Sequence, residues 1–515
     1  MRSRHLRPSG LVVIGAGAAG IPIAVRATER SDLSVTLIEA GPDYPAGVLP
    51  KDLRNGGRNS VKRHDWGYHH EPTSGQRIPF VFPRGRVVGG SSAVNTCIAI
   101  RGQPYDYDEW ELPEWTWDKC LPAFKRLEAD LDVGEPGVLR EWHGEDGPIP
   151  IRRHRRTELV PWQAAFLDAC DESEVPRCPD HNRPMVGGAG PHAMNKVQGE
   201  RWSVARGYLT SAVRARENLR IVSGALVRRV LFSGRRVCGV EIEREGRVET
   251  IGTTRVIVSA GAINTPGVLL RSGVGPRDVV ERLGVELVAD VPAIGRRLLD
   301  HAGAAIFFLP RFGVMDLDDP LIQTAMRFTS TGSRYAFDLQ LQPGSLMPFP
   351  SITAPIVTMM CQVGKPRGYG SLRYRSADPR EKPIIQSHVL EDEDDRTRAI
   401  EGLRRAWELA QRGPMAELAS LMWPRPKTLE GDDAHEWIRG ACDSGYHPCG
   451  TVPMGRDDGS WERVACDAKG RVRGVEGLVV ADASLFPTVP SANIHLPTLM
   501  VGERFGEWVR DGDLT

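Results

Sequence analysis

A glycine-rich turn near the amino terminus constrains the fold of this chain more than any other feature. The apolar, β-branched run Leu11–Ile14 leads directly into the sequence GAGAAG at 15–20, and a stretch of helical character follows. A strand, a tight turn and a helix in this order are typical of dinucleotide-binding folds. We expect Gly15 to permit the turn, Gly17 to let the backbone approach a pyrophosphate, and Gly20 to let helix and strand pack closely.

The residues after this turn support a dinucleotide site but leave the cofactor open. A second apolar strand is predicted over 34–38 and ends at Glu39, whose carboxylate can accept hydrogen bonds from a ribose diol. The same charge would repel a 2′-phosphate, which disfavours NADP. The helix that begins near Gly20 offers unpaired N–H groups to the phosphates. Because FAD and NAD share this fingerprint, the turn alone does not distinguish them.

Composition and charge exclude several classes of partner. The chain has 515 residues, with 66 basic and 66 acidic side chains and no long block of either sign, so no global field favours nucleic acid or an anionic membrane surface. No apolar stretch reaches the roughly 18 residues that a membrane span needs. The nine cysteines form no C-x-x-C pair, which argues against a zinc cluster. We expect a cytoplasmic protein with no nucleic-acid partner, no membrane span and no bound metal.

More specific signals come from five later segments. In chain order they are 82–95 (FPRGRVVGGSSAVN), 259–266 (SAGAINTP), 446–455 (YHPCGTVPMG), 479–484 (VVADAS) and 490–498 (PSANIHLPT). In the first of them, Gly89 and Gly90 allow a ligand to approach the backbone, while Ser91 and Asn95 offer donors to a polar ring edge. In their order and spread along the chain, these segments resemble the signatures of the glucose-methanol-choline (GMC) oxidoreductase family.

The resemblance implies FAD as the cofactor and interleaved lobes as the architecture. Further strand signals at 219–222, 237–242, 255–258 and 477–480, and a helical pattern over 394–411, fit that arrangement. We predict an α/β fold in which a Rossmann-like FAD-binding lobe with a parallel sheet packs against a mixed α+β substrate lobe. The FAD-binding lobe is assigned to 1–45, 80–125, 200–300 and 435–515, and the substrate-binding lobe to 46–79, 126–199 and 301–434.

The resemblance also implies which residues surround the cofactor. It puts Glu39 on the adenosine ribose, the backbone of Val227 near the adenine, and Asp482 near the ribityl or phosphate region. Some members carry a histidine bonded covalently to the flavin where this sequence has Val94, so the FAD is expected to be non-covalent. The residues that we expect to bind FAD are Gly15, Gly17, Ala18, Ala19, Gly20, Glu39, Ala40, Arg86, Val88, Gly89, Gly90, Ser91, Asn95, Thr96, Val227, Ala260, Gly261, Asp482, Ala483 and Asn493.

Two histidines match the positions that the family places over the flavin face. They are His447 and His495, the second being histidine or asparagine in different members. Alcohol oxidation needs a base for the hydroxyl proton, and an imidazole with an unperturbed pKa of about 6.5 suits that task. We expect His447 to accept the proton, His495 to orient the substrate oxygen, and Asn493 to lie beside them. Which imidazole is the base stays open at this stage.

The predicted reaction is oxidation of an alcohol to an aldehyde or ketone by hydride transfer to FAD, with reoxidation by oxygen, a quinone or a redox protein. Three alternatives stay open. Some relatives keep FAD without net oxidation, so a lyase on the same scaffold is one of them. The second is a non-catalytic flavin-binding protein, which the histidine pair disfavours. The third is an NAD-dependent dehydrogenase, which the later signatures disfavour.

Overall fold

A computed structural model describes residues 4–6, 9–45, 47–60, 62–76, 78–348, 353–456, 458 and 462–514. Its largest apolar core surrounds strands such as Leu11–Ile14 and Val256–Val258. A second core lies under the strand Ala302–Pro310 and the helix Glu393–Ala410. The chain therefore builds one core around the predicted nucleotide-binding strands and another in the segment after His301, as an interleaved α/β and α+β architecture requires.

The first glycine-rich turn lies at the carboxyl edge of a parallel sheet. In spatial order, the strands of this parallel sheet are Leu219–Val222, Val35–Ile38, Leu11–Ile14, Val256–Val258 and Leu478–Val480. The central strand Leu11–Ile14 is buried along its whole length, which suits a β-branched strand covered on both faces. The strands predicted here from the sequence are confirmed to within one residue.

The strand predicted over 237–242 is also confirmed, but it belongs to a different sheet. It is part of Arg236–Arg244, which forms an antiparallel hairpin with Ala225–Ser233 through a turn at Gly234. Because a tight hairpin pairs its strands from the turn outward, this strand extends beyond 237–242 at both ends, and its partner Ala225–Ser233 is not among the predicted strands. The strands of this mostly antiparallel sheet are Arg4–Leu6, Arg247–Gly252, Arg236–Arg244 and Ala225–Ser233.

The segment after His301 contributes most strands of a large antiparallel sheet. In spatial order, its strands are Ala419–Trp423, Ala302–Pro310, Val357–Val363, Leu339–Gly344, Thr324–Phe328 and Gly188–Pro191, and Cys442–Ser444 also pairs with Ala302–Pro310. The predicted helix over 394–411 is confirmed as Glu393–Ala410, which packs on one face of the sheet. Side chains alternate along a strand, so Met359 points into the second core whereas Met360 lines a cavity on the opposite face.

Helices and short strands connect these sheets. The longer helices are Gly20–Ala27, Trp117–Leu127, Pro161–Glu172, Gly261–Arg271, Glu393–Ala410, Ala434–Ala441 and His495–Asp511. The shorter helices are Lys51–Arg54, Pro104–Asp108, Val204–Tyr208, Ser211–Arg214, Arg277–Arg282, Gly413–Ala416 and Pro426–Glu430. The short strands are Tyr68–His70 and Phe80–Phe82, Glu128–Asp130, Ile149–Arg153 and Ala193–Met194, Lys196–Val197 and Glu200–Arg201, Val274–Gly275 and Ala289–Asp290, Met347–Pro348 and Thr353–Ala354, and Ser371–Arg373 and Ile384–Gln386. Within the described ranges, no helix combines the length and apolar character needed to cross a bilayer.

The carboxyl-terminal helix His495–Asp511 packs along Gly20–Ala27, the helix that follows the glycine-rich turn. The contact is close, because a Cβ atom at Gly502 would lie 2.7 Å from the carbonyl oxygen of Ala19. The adjacent Glu503 is fully buried, where a charge must be paired. It accepts hydrogen bonds of 2.6 to 3.1 Å from Arg26, Arg126 and Tyr208. The residues at the start of the last helix are thus fixed relative to the turn.

Candidate active site

The glycines of the first turn have different structural tasks. Gly15 has a φ of +100°, and a Cβ atom there would lie 2.4 Å from the carbonyl oxygen of Ser259. A Cβ atom at Gly20 would lie 1.9 Å from the carbonyl oxygen of Gly15. At Gly17, by contrast, the nearest atom would be 4.0 Å away, and the residue lines a cavity. Gly15 and Gly20 are therefore required by packing, whereas Gly17 keeps space free for a ligand.

A second glycine loop packs directly against this turn. Gly90 has a φ of +54°, and a Cβ atom there would lie 2.7 Å from the Cα atom of Gly17. The N–H of Gly89 donates to the carbonyl oxygen of Ala16 at 2.7 Å, which fixes the two loops backbone to backbone. Side chains at these positions would separate the loops. The predicted pyrophosphate turn and the predicted flavin loop therefore form one continuous surface.

Two buried carboxylates on this surface are held by backbone donors. Glu39 accepts hydrogen bonds from the N–H groups of Ala16 at 3.1 Å and Gly41 at 2.9 Å. Asp482 accepts from the N–H of Gly261 at 2.8 Å. Burial raises the pKa of both, in the case of Glu39 to about 7. Their positions are consistent with the ribose and ribityl or phosphate contacts predicted for them.

One cavity joins the glycine loops to the histidine pair. Its volume is about 730 Å³, within the range of roughly 300–1,000 Å³ typical of cofactor and ligand sites. The predicted residues on its wall are Gly17, Ala18, Ala19, Glu39, Gly90, Ser91, Asn95, Thr96, Ala260, Gly261, His447, Asp482, Ala483, Asn493 and His495. The other predicted residues do not line this cavity, and they are Gly15, Gly20, Ala40, Arg86, Val88, Gly89 and Val227.

His447 is held at four points. Its backbone N–H donates to Asp300 at 2.7 Å, and its Nε2 atom lies 3.0 Å from the amide nitrogen of Asn493. Its Nδ1 atom lies 2.9 Å from Nδ1 of His301 and 3.2 Å from the amide nitrogen of Gln362. The structure thus brings two predicted residues, His447 and Asn493, into contact, and it adds His301 and Gln362, which the sequence signatures do not single out.

His495 is the first residue of the carboxyl-terminal helix and lies on the same cavity wall. Its Nε2 atom is buried and has no hydrogen-bond partner among the described residues. The same holds, within those ranges, for the amide oxygen of Asn493. Buried polar atoms without a partner are rare in folded proteins because they cost roughly 1–3 kcal/mol each. Both atoms are therefore available to a polar ligand in the cavity.

The surroundings keep both imidazoles neutral. Burial, the neighbouring His301 and the Arg84 guanidinium lower the pKa of His447 well below its ordinary value. Burial alone lowers the pKa of His495 to about 4. At neutral pH each ring therefore carries one hydrogen and one lone pair, as a proton acceptor needs.

Replacing His495 with asparagine is expected to make folding less sensitive to acid. The unfolded imidazole has a pKa of about 6.5, so between that pH and about pH 4 the unfolded state binds a proton that the folded state does not. Stability is therefore lost as the pH falls through this window and is unaffected above it. Allowing for the partial exposure of His495, we expect wild type to lose about 1 kcal/mol more than the variant between pH 7 and pH 5. Urea unfolding at both pH values measures this, and equal losses would contradict the shift.

The residues on the wall fit FAD. The glycine loops provide backbone N–H groups and open space on the wall of the cavity, and the same wall carries polar atoms of Asn493 and His495 that have no partner among the described residues. FAD has phosphates in its middle, which suit the backbone N–H groups of the glycine loops, and a ring with a polar edge, which suits Asn493 and His495. Val94 packs in a small apolar core with Leu53 and Val87, and valine cannot form a covalent bond to the ring.

The remaining wall comes from the large antiparallel sheet and neighbouring loops, for which the sequence contains no motif. Its side chains are mainly apolar, and several of the polar groups among them already have partners. Asp443, for example, accepts a hydrogen bond from the Tyr446 hydroxyl at 2.7 Å and lies 3.0 Å from His70. The apolar and aromatic residues of this wall are Trp66, Phe80, Phe307, Leu321, Ile322, Leu346, Met360 and Trp423. Only the alternation along strands such as Ala302–Pro310 could have indicated which of them face inward.

A buried group away from the cavity has the composition of a metal site. Ligand atoms of Glu128, Asp130 and His143 lie within 4.8 Å of one another. However, the Arg101 guanidinium contacts Glu128, and the Arg153 guanidinium lies 3.0 Å from Asp130. Burial lowers the pKa of His143, but hydrogen bonds to its carboxylate neighbours outweigh that effect and raise it to about 10. A protonated imidazole is not a metal ligand, so these residues form an ion-pair network.

Known proteins resemble this chain over nearly its whole length. Family models of the GMC oxidoreductases match residues 12–303 and 366–502. The 5-(hydroxymethyl)furfural oxidase of Methylovorus sp. (strain MP688) is 33% identical over 537 residues, which cover 96% of this chain and 97% of the relative. An oxygen-dependent choline dehydrogenase of Brucella anthropi is 33% identical over 536 residues, covering 97% and 95%.

A solved structure agrees with the fold. The crystal structure of pyridoxine 4-oxidase from Mesorbium loti superposes with a TM-score of 0.88 at 28% identity, covering 97% of this chain and 98% of that one. Sequence and structure comparisons thus agree with the resemblance inferred from the signature segments, and most of the residues predicted to bind FAD line the cavity. The chain belongs to the GMC oxidoreductase family and is an FAD-dependent oxidoreductase that acts on CH–OH groups.

Proposed function

We propose that this protein oxidises an uncharged alcohol with an aromatic or apolar body to the corresponding aldehyde or ketone, with His447 as the base. The observation that carries the proposal is the position of His447, a neutral imidazole on the wall of the cavity, with its Nε2 atom next to Asn493. When bound, FAD supplies the hydride acceptor. The protein must then supply a proton acceptor, a site for the oxygen and exclusion of water.

His447 and His495 divide the first two of these tasks. His447 accepts the hydroxyl proton at Nε2, whose one lone pair takes the substrate hydroxyl in place of the contact that the Asn493 amide now makes there. The partnerless Nε2 of His495 forms the hydrogen bond that orients the substrate oxygen. His495 also begins the carboxyl-terminal helix, whose positive end stabilises negative charge that develops nearby. Asn493 lies between the two histidines in sequence and helps to keep His447 in place.

The composition of the wall supports an aromatic or apolar substrate. Phe307 and Met360 point into the cavity from adjacent strands, and Phe307 packs against Trp423 with ring centroids 5.5 Å apart. Such a surface stabilises a flat apolar ring and offers few hydrogen-bond partners to the hydroxyl groups of a polyol such as a sugar. Two similar proteins carry names that refer to 5-(hydroxymethyl)furfural and pyridoxine, both of which are aromatic rings with a hydroxymethyl group. Another is named for choline, so a quaternary ammonium alcohol belongs in the test.

An aromatic primary alcohol is expected to bleach the visible absorption of the purified FAD-loaded protein in the absence of oxygen and nicotinamide. The experiment compares 5-(hydroxymethyl)furfural, benzyl alcohol, pyridoxine, choline and a sugar by stopped-flow absorbance. Bleaching confined to choline or the sugar would contradict the proposed substrate class. No bleaching by any alcohol in a wide panel would contradict oxidation and favour a lyase or a flavin-binding protein. Oxygen uptake, compared with reduction of an artificial quinone, then identifies the electron acceptor.

Truncating Phe307 to alanine is expected to affect aromatic alcohols selectively. Loss of a ring contact in an apolar pocket costs about 1–3 kcal/mol, so kcat/KM for benzyl alcohol should fall by about tenfold or more. A short aliphatic alcohol, which cannot reach the ring, should change by less than about threefold. Phe312 is a matched control because it is a fully exposed phenylalanine in the same region, and Phe312→Ala should change neither rate. Equal losses for both alcohols in Phe307→Ala would show that the residue does not determine specificity.

A further inference from the structure

We propose that His301, which lies outside every signature segment, is a positioning residue that holds His447 in the tautomer with a free lone pair on Nε2. The inference rests on the proposed role of His447 as the base. The base must accept a proton at Nε2, the nitrogen of His447 next to Asn493, and not at Nδ1, the nitrogen next to His301. The two ring nitrogens of a neutral histidine differ in this respect, and the partner of one determines the state of the other.

The contacts of His301 fix its own hydrogen. The residue is fully buried immediately before the strand Ala302–Pro310. Its Nε2 atom lies 3.1 Å from the carbonyl oxygen of Gly364 and 2.8 Å from that of Pro490. Carbonyl oxygens only accept hydrogen bonds, so Nε2 must carry the hydrogen. The Nδ1 atom of a neutral His301 is therefore an acceptor.

This arrangement determines the hydrogen of His447. The Nδ1 atoms of His301 and His447 are 2.9 Å apart, and one hydrogen must lie between them. Since Nδ1 of His301 is an acceptor, that hydrogen belongs to Nδ1 of His447. The Nε2 atom of His447 then has the lone pair, and it accepts the hydrogen bond that Asn493 donates at 3.0 Å. The opposite tautomer would leave two lone pairs facing each other inside the protein.

The argument requires both imidazoles to be neutral, and the surroundings ensure this. Burial, with the cationic Lys365 and Arg327, lowers the pKa of His301 to about 4, although the hydrogen bonds to the carbonyls of Pro490 and Gly364 oppose this shift. Burial, His301 and Arg84 lower the pKa of His447. At neutral pH each ring thus carries a single hydrogen, so the contacts at one nitrogen decide the state of the other.

A pair of glutamines is consistent with the same tautomer. The Gln362 amide lies 3.2 Å from Nδ1 of His447 and 3.2 Å from the Gln342 amide. The hydrogen on Nδ1 of His447 has His301 as its acceptor, and the Gln362 oxygen becomes a second acceptor when both amides are turned by 180°, an orientation that has to be assigned from hydrogen bonding. The turn also gives the buried Gln342 oxygen, which has no partner among the described residues, a donor from Gln362.

Two substitutions separate control of the His447 tautomer from a role of His301 in anchoring the carbonyls of Gly364 and Pro490. The amide of an asparagine at 301 reaches the position of Nδ1 and can accept from His447, but it loses the two carbonyl contacts. The amide of a glutamine reaches the position of Nε2 and keeps a donor to the carbonyls, but it loses the acceptor for His447. If His301 controls the tautomer, His301→Asn should keep kcat/KM within about fivefold of wild type, whereas His301→Gln should lower it by about a hundredfold. If His301 only anchors the backbone carbonyls of Gly364 and Pro490, the reverse order is expected, because His301→Gln keeps those contacts and His301→Asn loses them.

Two readouts do not depend on turnover. Thermal unfolding should show that His301→Gln is at least as stable as His301→Asn, so that its larger loss of activity is not a loss of folded protein. The ¹⁵N spectrum of histidine-labelled protein, with the His447 signals identified by their absence from His447→Asn, should show a protonated Nδ1 in wild type and in His301→Asn. In His301→Gln, His447 should populate both tautomers, with the hydrogen on Nδ1 in some molecules and on Nε2 in others.

The outcomes distinguish this inference from the proposed function. Full activity in His447→Ala would overturn the role of His447 as the base, whatever the variants at 301 show. An inactive His447→Ala combined with a fully active His301→Gln, or with a wild-type Nδ1 that carries no hydrogen, would leave the base in place and overturn the role of His301.

Discussion

Replacing His447 with alanine is expected to lower kcat/KM for the oxidised alcohol by about a thousandfold, since a positioned general base contributes roughly 10²–10⁴-fold. The base acts only on the reacting hydroxyl, so the loss should appear in kcat as well as in kcat/KM. The FAD content should remain that of wild type, because we expect the glycine loops and the buried carboxylates, rather than His447, to hold the cofactor. Steady-state kinetics with the absorbance ratio of FAD to protein measure both quantities.

His181 offers a matched control. It is fully buried and lies away from the cavity, where its Nδ1 atom contacts the thiol of Cys178 at 3.4 Å. His181→Gln should keep wild-type turnover. An His447→Ala enzyme with undiminished activity would refute the assignment of the base. A larger loss of kcat/KM in His495→Ala than in His447→Ala would make His495 the base and His447 the residue that orients the substrate oxygen.

Replacing Gly90 with alanine is expected to abolish FAD binding at ordinary concentrations. A non-glycine residue at a φ of +54° costs about 1–3 kcal/mol. The new Cβ atom would also lie 2.7 Å from the Cα atom of Gly17, so the two loops must separate. Together these effects should raise the Kd for FAD at least about a hundredfold and lower the melting temperature. Fluorescence titration of the FAD-free protein and thermal unfolding test the two expectations.

Gly17→Ala is expected to weaken FAD binding without destabilising the fold. Its Cβ atom would have no protein neighbour closer than 4.0 Å and would extend into the cavity. The FAD-free variant should therefore unfold at the wild-type temperature, while its Kd for FAD rises by about tenfold. If Gly17→Ala binds FAD as wild type does, the phosphates do not lie against this turn.

Local patterns in the sequence are sufficient to predict the nucleotide end of the cavity. The run Leu11–Ile14 and the glycines that follow it combine a strand, a turn and a helix within a few residues, so their spacing defines the geometry. The parallel sheet follows from the βαβ unit that opens the chain, and the apolar strands predicted at 219–222, 255–258 and 477–480 extend that sheet. The assignment of lobe boundaries and of individual cofactor contacts remains a prediction.

The substrate end could not be predicted in the same way. Phe307 and Met360 reach the cavity through the register of an antiparallel sheet, and a shift of one residue would turn both toward the second core. His301 meets His447 although 146 positions separate them. No short pattern contains such a pair, since the contact depends on how Cys442–Ser444 pairs with the start of Ala302–Pro310.

The order of the segments has a consequence for biosynthesis. The edge strand Leu478–Val480 and the helix His495–Asp511 are made after every other part of the cavity, yet they carry or adjoin Asp482, Asn493 and His495. A nascent chain that does not yet include these residues lacks one wall of the pocket, and its helix Gly20–Ala27 lacks the helix that it packs along in the folded protein. Cofactor capture is therefore a late event, which follows translation of the last helix rather than accompanying emergence of the first glycine-rich turn.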